Sequence, residues 1–87
     1  MTSPLTETDI AKKVTEYIRD AFLDGDPKGE LQDTTPLLEW GVLDSLKTAR
    51  LLGFIRTEFG RNVPPLEINA DNLRDVKAIA AMVARLA

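Results

Sequence analysis

The chain has no cysteine and no histidine among its 87 residues. Without cysteine there is no disulfide, no thiolate zinc site and no side-chain thiol nucleophile. Without histidine the commonest general base is missing, and no Ser-His or Cys-His pair can form. Catalysis would have to rest on carboxylates and lysines alone, so the expectation is a non-enzyme with no catalytic residue and no metal site. Aromatics are scarce at 6%, with one tryptophan and one tyrosine. No apolar run approaches the ~20 residues that cross a bilayer. The start, Met1-Thr-Ser-Pro-Leu-Thr-Glu, lacks the basic and apolar regions of a secretory signal. A cytoplasmic protein that does not engage membranes is expected.

What is present describes an ordinary globular domain, with 44% hydrophobic and 29% charged residues. A chain this short makes one domain, taken as residues 1–87. The net charge of −3 hides an asymmetry. Residues 1–44 hold ten acidic and four basic side chains, and residues 45–87 hold four acidic and seven basic. A continuous basic stripe, the footprint of a nucleic-acid binder, is missing. The dipolar layout instead suggests that different faces meet different partners.

Helical periodicity dominates. Thr6 and Asp9 form a capping-box pair ahead of Ile10, Val14, Tyr17, Ile18, Ala21 and Phe22, one apolar helix face. Asp24-Gly25-Asp26-Pro27 stops that helix. A long stretch to Asp44 has no sustained period but holds Leu31, Leu37, Leu38, Trp40, Val42 and Leu43, so it packs back onto the bundle. Thr34-Thr35-Pro36 suits the start of a helical turn, and Gly41 suits a positive φ or a tight approach. The next helix spans Ser45 to Phe59. With Leu46 at 0°, its residues Leu51, Leu52, Ile55 and Phe59 fall between about 140° and 240°, the core face, bordered by Phe54. Gly60 ends it, and Pro64-Pro65 calls for an extended connector. Asn69 to Leu73 suits one short helix, and Asp75 caps a last helix carrying Val76, Ile79, Ala80, Val83 and Leu86. The fold class is therefore all-α, a small four-helix bundle of three longer helices and one short one.

The segment Leu37-Leu-Glu-Trp-Gly-Val-Leu-Asp-Ser-Leu46 resembles the attachment motif of acyl and peptidyl carrier proteins. In that motif a glycine two or three residues upstream precedes Asp-Ser-Leu. The resemblance continues through Glu58-Phe59-Gly60 and Val63-Pro64 and covers essentially the whole chain. It implies a discrete carrier of the acyl carrier protein fold, with 4'-phosphopantetheine from coenzyme A attached covalently at Ser45. Helix capping alone would also account for Asp44 and Ser45; the full-length match favours modification.

The resemblance further implies that Asp44 helps engage a phosphopantetheinyl transferase and that Leu46 contacts partner enzymes. Those partners are a loading ligase, adenylation enzyme or acyltransferase, then a tailoring enzyme, a ketosynthase or a condensation enzyme. Leu46, Ala49, Arg50, Gly53 and Arg56 share the helix side opposite the core. Leu46 reads equally as a scattered surface leucine. Gly53 reads as a site of close partner approach or of tight packing inside the bundle. Familiar fatty-acid carriers have a strongly acidic second helix. This one carries Lys47, Arg50 and Arg56, with Arg61 just beyond, against Glu58 alone. Long charged side chains on an exposed face are most often solvation, but complementary charge also selects partners. That departure points to dedicated enzymes of polyketide or nonribosomal-peptide type secondary metabolism, such as antibiotic biosynthesis. A primary-metabolism carrier, a D-alanyl carrier and an unmodified helical interaction module are the alternatives. Trp40 reads first as a core anchor of the long loop; the other reading, shared with Asn69 to Leu73, is the lining of a groove for the arm. A monomer is expected, and the cargo is undetermined.

Overall fold

The computed structural model describes residues 6–23, 25, 29 and 31–86. It has three α-helices, α1 (Glu7–Phe22), α2 (Ser45–Phe59) and α3 (Val76–Arg85), and no strand among the described residues. α1 opens on the expected capping box. The Thr6 hydroxyl accepts from the Asp9 amide at 3.1 Å, and the Asp9 carboxylate accepts from the Thr6 amide at 3.5 Å. Beyond its end, the Gly25 amide donates to the Arg19 carbonyl at 2.7 Å, with Gly25 at φ +84. Asp24, Asp26 and Pro27, the rest of the expected stop, lie outside the described residues.

One apolar cluster holds the helices together. Ile10, Val14 and Ile18 of α1 meet Val76, Ile79, Ala80, Met82 and Val83 of α3, and α2 adds Leu51 and Ile55. α1 packs more extensively on α3 than on α2. Burying aliphatic side chains of this size contributes about 1.5–3 kcal/mol each. Met82 was absent from the expected core stripe and is fully buried. Ala21, by contrast, is exposed, and Leu86 lies just past α3 and is half-buried. Tyr17, Phe22, Leu52, Phe54 and Phe59 pack at the margin. There Tyr17 stacks on Phe54 with ring centroids 4.2 Å apart. Lys13 and Glu58 close the same α1–α2 seam with a 2.8 Å ion pair, which raises the Lys13 pKa through the hydrogen bond and the neighbouring charge.

The long loop is tied to the start of α3. The Leu37 amide donates to the Arg74 carbonyl at 2.8 Å, and the Lys77 amide donates to the Asp33 carbonyl at 2.9 Å. Leu31, Leu37, Val42 and Leu43 are buried, as expected of a loop that packs on the bundle. Leu38 and Trp40 are not; they are 39% and 59% exposed. The core-anchor reading of Trp40 is thereby corrected. The Trp40 amide donates to the Pro36 carbonyl at 3.0 Å, and the Val42 and Leu43 amides both donate to the Leu37 carbonyl. This tight turn sends Leu37 inward and its neighbours outward, with Gly41 at φ +72 completing the reversal.

The fourth helix is also corrected. Only a 3-10 turn forms, at Pro65–Glu67, after Pro64 in extended conformation. Residues 69–73 close a single turn through the Leu73 amide and the Asn69 carbonyl at 3.1 Å. Asparagine side chains compete with helix here. Asn69 Oδ1 accepts from the Asn72 amide at 2.9 Å, and Asn72 Nδ2 donates to the Glu67 carbonyl at 2.8 Å.

Candidate functional site

Ser45 is the first residue of α2, one position after its cap. Asp44 takes the extended cap conformation, and its Oδ1 accepts from the Lys47 amide at 2.8 Å. The Asp44 carbonyl accepts the first helical bond, from the Thr48 amide, also at 2.8 Å. The amides of Ser45 and Leu46 have no acceptor among the described residues, and neither does the Ser45 hydroxyl have a partner there. At the start of α3, by contrast, the second amide is taken as well as the third, Lys77 by the Asp33 carbonyl and Ala78 by the Asp75 carboxylate. α2 thus presents an exposed hydroxyl beside open N–H groups at the positive end of a helix dipole.

The buried pair Val42 and Leu43 anchors the chain just before this point, and Leu51 and Ile55 anchor the helix after it. The hydroxyl is therefore held by packing on both sides while remaining in solvent. Leu46 is 65% exposed, and Ala49, Arg50, Arg56 and Thr57 are exposed along the same side. Gly53 is half-buried, and a Cβ built there meets nothing within 4 Å. Tight bundle packing at Gly53 is excluded by that open space. Ala49, Leu52, Gly53 and Arg56, with Asn62 and Val63 of the connector, line a shallow depression of about 330 Å³. Asn69 to Leu73 and Trp40 are not part of its lining.

Two of the basic residues have structural duties. Arg61 donates to the Val83 carbonyl at 2.7 Å, satisfying the C-terminal end of α3. The ammonium of Lys47 lies 5.9 Å from the centroid of the Phe22 ring. Arg50 and Arg56 form no ion pair with a described residue, and Glu58 is neutralised by Lys13. The outer side of α2 is basic because of this pairing pattern.

A covalent phosphodiester arm fits these features. Its anion would meet open amides, and the depression at Gly53 lies about 12 Å along the helix from Ser45 at 1.5 Å per residue. The chain has no histidine to act as a base toward the Ser45 hydroxyl, and the neighbouring Asp44 carboxylate is engaged in the cap.

Comparison with known proteins agrees with the fit. Residues 12–83 match the family described as "Phosphopantetheine attachment site". The "Probable acyl carrier protein PigG" of Serratia sp. (strain ATCC 39006) is 34% identical over 77 residues, covering 88% of this chain and 87% of that protein. A chain in the solved structure "Crystal structure of FAD-dependent dehydrogenase" superposes with a TM-score of 0.75 at 36% identity, covering 80% of this chain and 97% of that one.

Proposed function

The chain belongs to the phosphopantetheine-attachment family of carrier proteins, and on that premise we propose that Ser45 is its point of attachment. Its prosthetic group is covalent 4'-phosphopantetheine, and it is a carrier and not an enzyme. When bound, the arm supplies a terminal thiol that holds an acyl or aminoacyl group as a thioester. The single observation that carries the assignment to Ser45 is its exposed hydroxyl at the open start of α2.

The protein's own residues contribute position. Asp44 caps the helix through the Lys47 amide and leaves the amides of Ser45 and Leu46 free to face an anion. Leu46, Ala49, Arg50, Gly53 and Arg56 form the surface that enzymes dock against, and Arg50 and Arg56 select acidic ones. That charge distinguishes it from carriers with an acidic second helix, and it supports dedicated enzymes of a secondary-metabolite pathway, of polyketide or nonribosomal-peptide type. The carrier works as a discrete single domain and a monomer in the cytoplasm. The match over 87% of PigG supports a one-domain carrier.

The solved-structure match suggests the reaction that takes the cargo. The matched chain is shorter than this one, of carrier-domain size, yet occurs in a structure named for a flavin-dependent dehydrogenase. Flavin enzymes remove a hydride and a proton from adjacent atoms, a step a thioester favours by acidifying the neighbouring C–H bond. The tailoring partner is accordingly a dehydrogenase acting on the tethered group, after a ligase or acyltransferase has loaded it.

The direct test is incubation with coenzyme A, magnesium and a broad-specificity phosphopantetheinyl transferase, read by intact mass. One phosphopantetheine adduct is expected on the wild-type chain and none on Ser45→Ala. A folded wild-type protein that stays unmodified with several transferases would favour an unmodified interaction module. For the docking surface, Arg50→Glu with Arg56→Glu should lower loading by the cognate enzyme about tenfold or more at low salt, and less at moderate salt. Equal rates across both salts would remove charge from the recognition scheme.

A further inference from the structure

We propose that Trp40, with Leu38 beside it, is an apolar anchor that inserts into a pocket of the loading enzyme, a pocket whose far rim carries carboxylates facing Arg50 and Arg56. The proposal rests on the carrier reading above. Its observations are independent of the attachment chemistry.

Trp40 is 59% exposed although it is the largest side chain of the molecule, and Leu38 is 39% exposed on the same turn. The turn is fixed. Its carbonyls at Pro36 and Leu37 accept from Trp40, Val42 and Leu43 at 3.0, 2.9 and 3.2 Å, and the Leu37 amide is tied to Arg74 at 2.8 Å. Leu37, Val42 and Leu43 fill the core beneath it. An aromatic side chain carried on a hydrogen-bonded turn offers a large contact area with only two side-chain torsions to order on binding, which is what makes aromatic anchors effective.

Its place also matters. Trp40 stands five positions before Ser45, so their Cα atoms are at most about 18 Å apart. A standard interface covers about 800 Å² per partner, a disc of about 16 Å radius. A footprint of that radius centred near Ser45 is comparable to the greatest separation the chain allows between Ser45 and Trp40. Leu46, the second residue of α2, adds another exposed apolar side chain beside Ser45, at 65% exposure.

Charge identifies the occupant. Along α2 the exposed Arg50 and Arg56 have no counter-ion among the described residues, and Glu58 is occupied by Lys13 at 2.8 Å. At the turn, Glu39 and Asp44 are exposed and acidic. The complementary partner is a protein surface with a hydrophobic pocket and hydrogen-bond donors near Ser45, and carboxylates farther along the helix. A membrane surface offers no such paired pattern, and neither does a nucleic acid.

The test uses the full-length holo carrier, its modification confirmed by intact mass, as substrate for the purified enzyme that acylates it. Trp40→Ala is expected to raise KM for the carrier on the order of tenfold, and at least threefold, with kcat unchanged. Trp40→Phe should recover part of that loss. Because Trp40 is the sole tryptophan, 5-fluorotryptophan labelling gives one ¹⁹F resonance, which should shift or broaden on titration with the unlabelled enzyme. A KM change under threefold, a loss confined to kcat, or a resonance unmoved at saturation overturns the proposal. Thermal melts of the variants establish that folding is intact. Failure to form the holo protein in the first step counts against Ser45 and the carrier reading, and not against the anchor.

Discussion

At Asp44 and Asp75 the same residue type does two different jobs. Each accepts a backbone N–H three residues on, at 2.8 and 2.7 Å. Asp75 is 7% exposed, and its second oxygen meets Arg74 at 3.4 Å, while Asp44 stands in solvent. Asp44→Ala should cost about 1 kcal/mol in urea unfolding, the ordinary value of a lost cap. Asp75→Ala should cost more, up to about 2 kcal/mol, because its loss leaves a shielded amide without an acceptor. The transferase reaction should respond in the reverse order, with Asp44→Ala slowed and Asp75→Ala close to normal. Identical kinetics for the two variants would show that Asp44 has no role beyond the cap. Both caps could be read from the residues alone, since aspartate before an apolar helical run is a local signal. Which of the two helix starts stays open could not, because that depends on where the Asp33 carbonyl arrives.

At the scale of one helix, α2 contains an apparent inefficiency. A glycine in a helix interior costs about 1 kcal/mol relative to alanine, and Gly53 has room for the missing methyl. Gly53→Ala should therefore raise stability by about 0.5–1 kcal/mol, seen as a higher urea midpoint at constant slope. If the glycine is retained for close approach by a partner, the same variant should slow cargo loading. A gain in stability with unaltered loading would leave Gly53 without a functional reason. Gly60 behaves oppositely. It ends α2 at φ +67, where a Cβ is strained, so Gly60→Ala should destabilise by about 1 kcal/mol. The bounds of α2 were legible because cap and stop are both encoded locally. The 65–73 region was not, since proline geometry and asparagine side-chain bonds divide it into two short turns that no period announces.

For the whole molecule, the core is small and α2 enters it through few residues. At ~0.05–0.15 kcal/mol per residue, a domain this size has on the order of 4–13 kcal/mol of net stability. Ile55 is fully buried and is one of two fully buried residues through which α2 holds to the core. Ile55→Ala should cost about 2–5 kcal/mol, measured by denaturant unfolding, and in the lower part of that stability range would populate the unfolded state. A cost below 1 kcal/mol would mean that α2 is held by its aromatic margin, Tyr17 on Phe54, rather than by the aliphatic core.

The sequence by itself determined the helical class, the caps of α1, α2 and α3, most of the buried stripe and the Asp-Ser-Leu start of α2. These rest on interactions within a few residues of one another, so spacing and residue type suffice. Only the tertiary structure decided that Trp40 faces solvent, that Met82 is buried, that Arg61 serves the end of α3, and that Arg50 and Arg56 form no ion pair among the described residues. Each of those depends on a neighbour distant along the chain, whose position is set by how the loop and helices pack. An apolar side chain states a preference for burial, and the backbone turn beneath it determines whether burial is available.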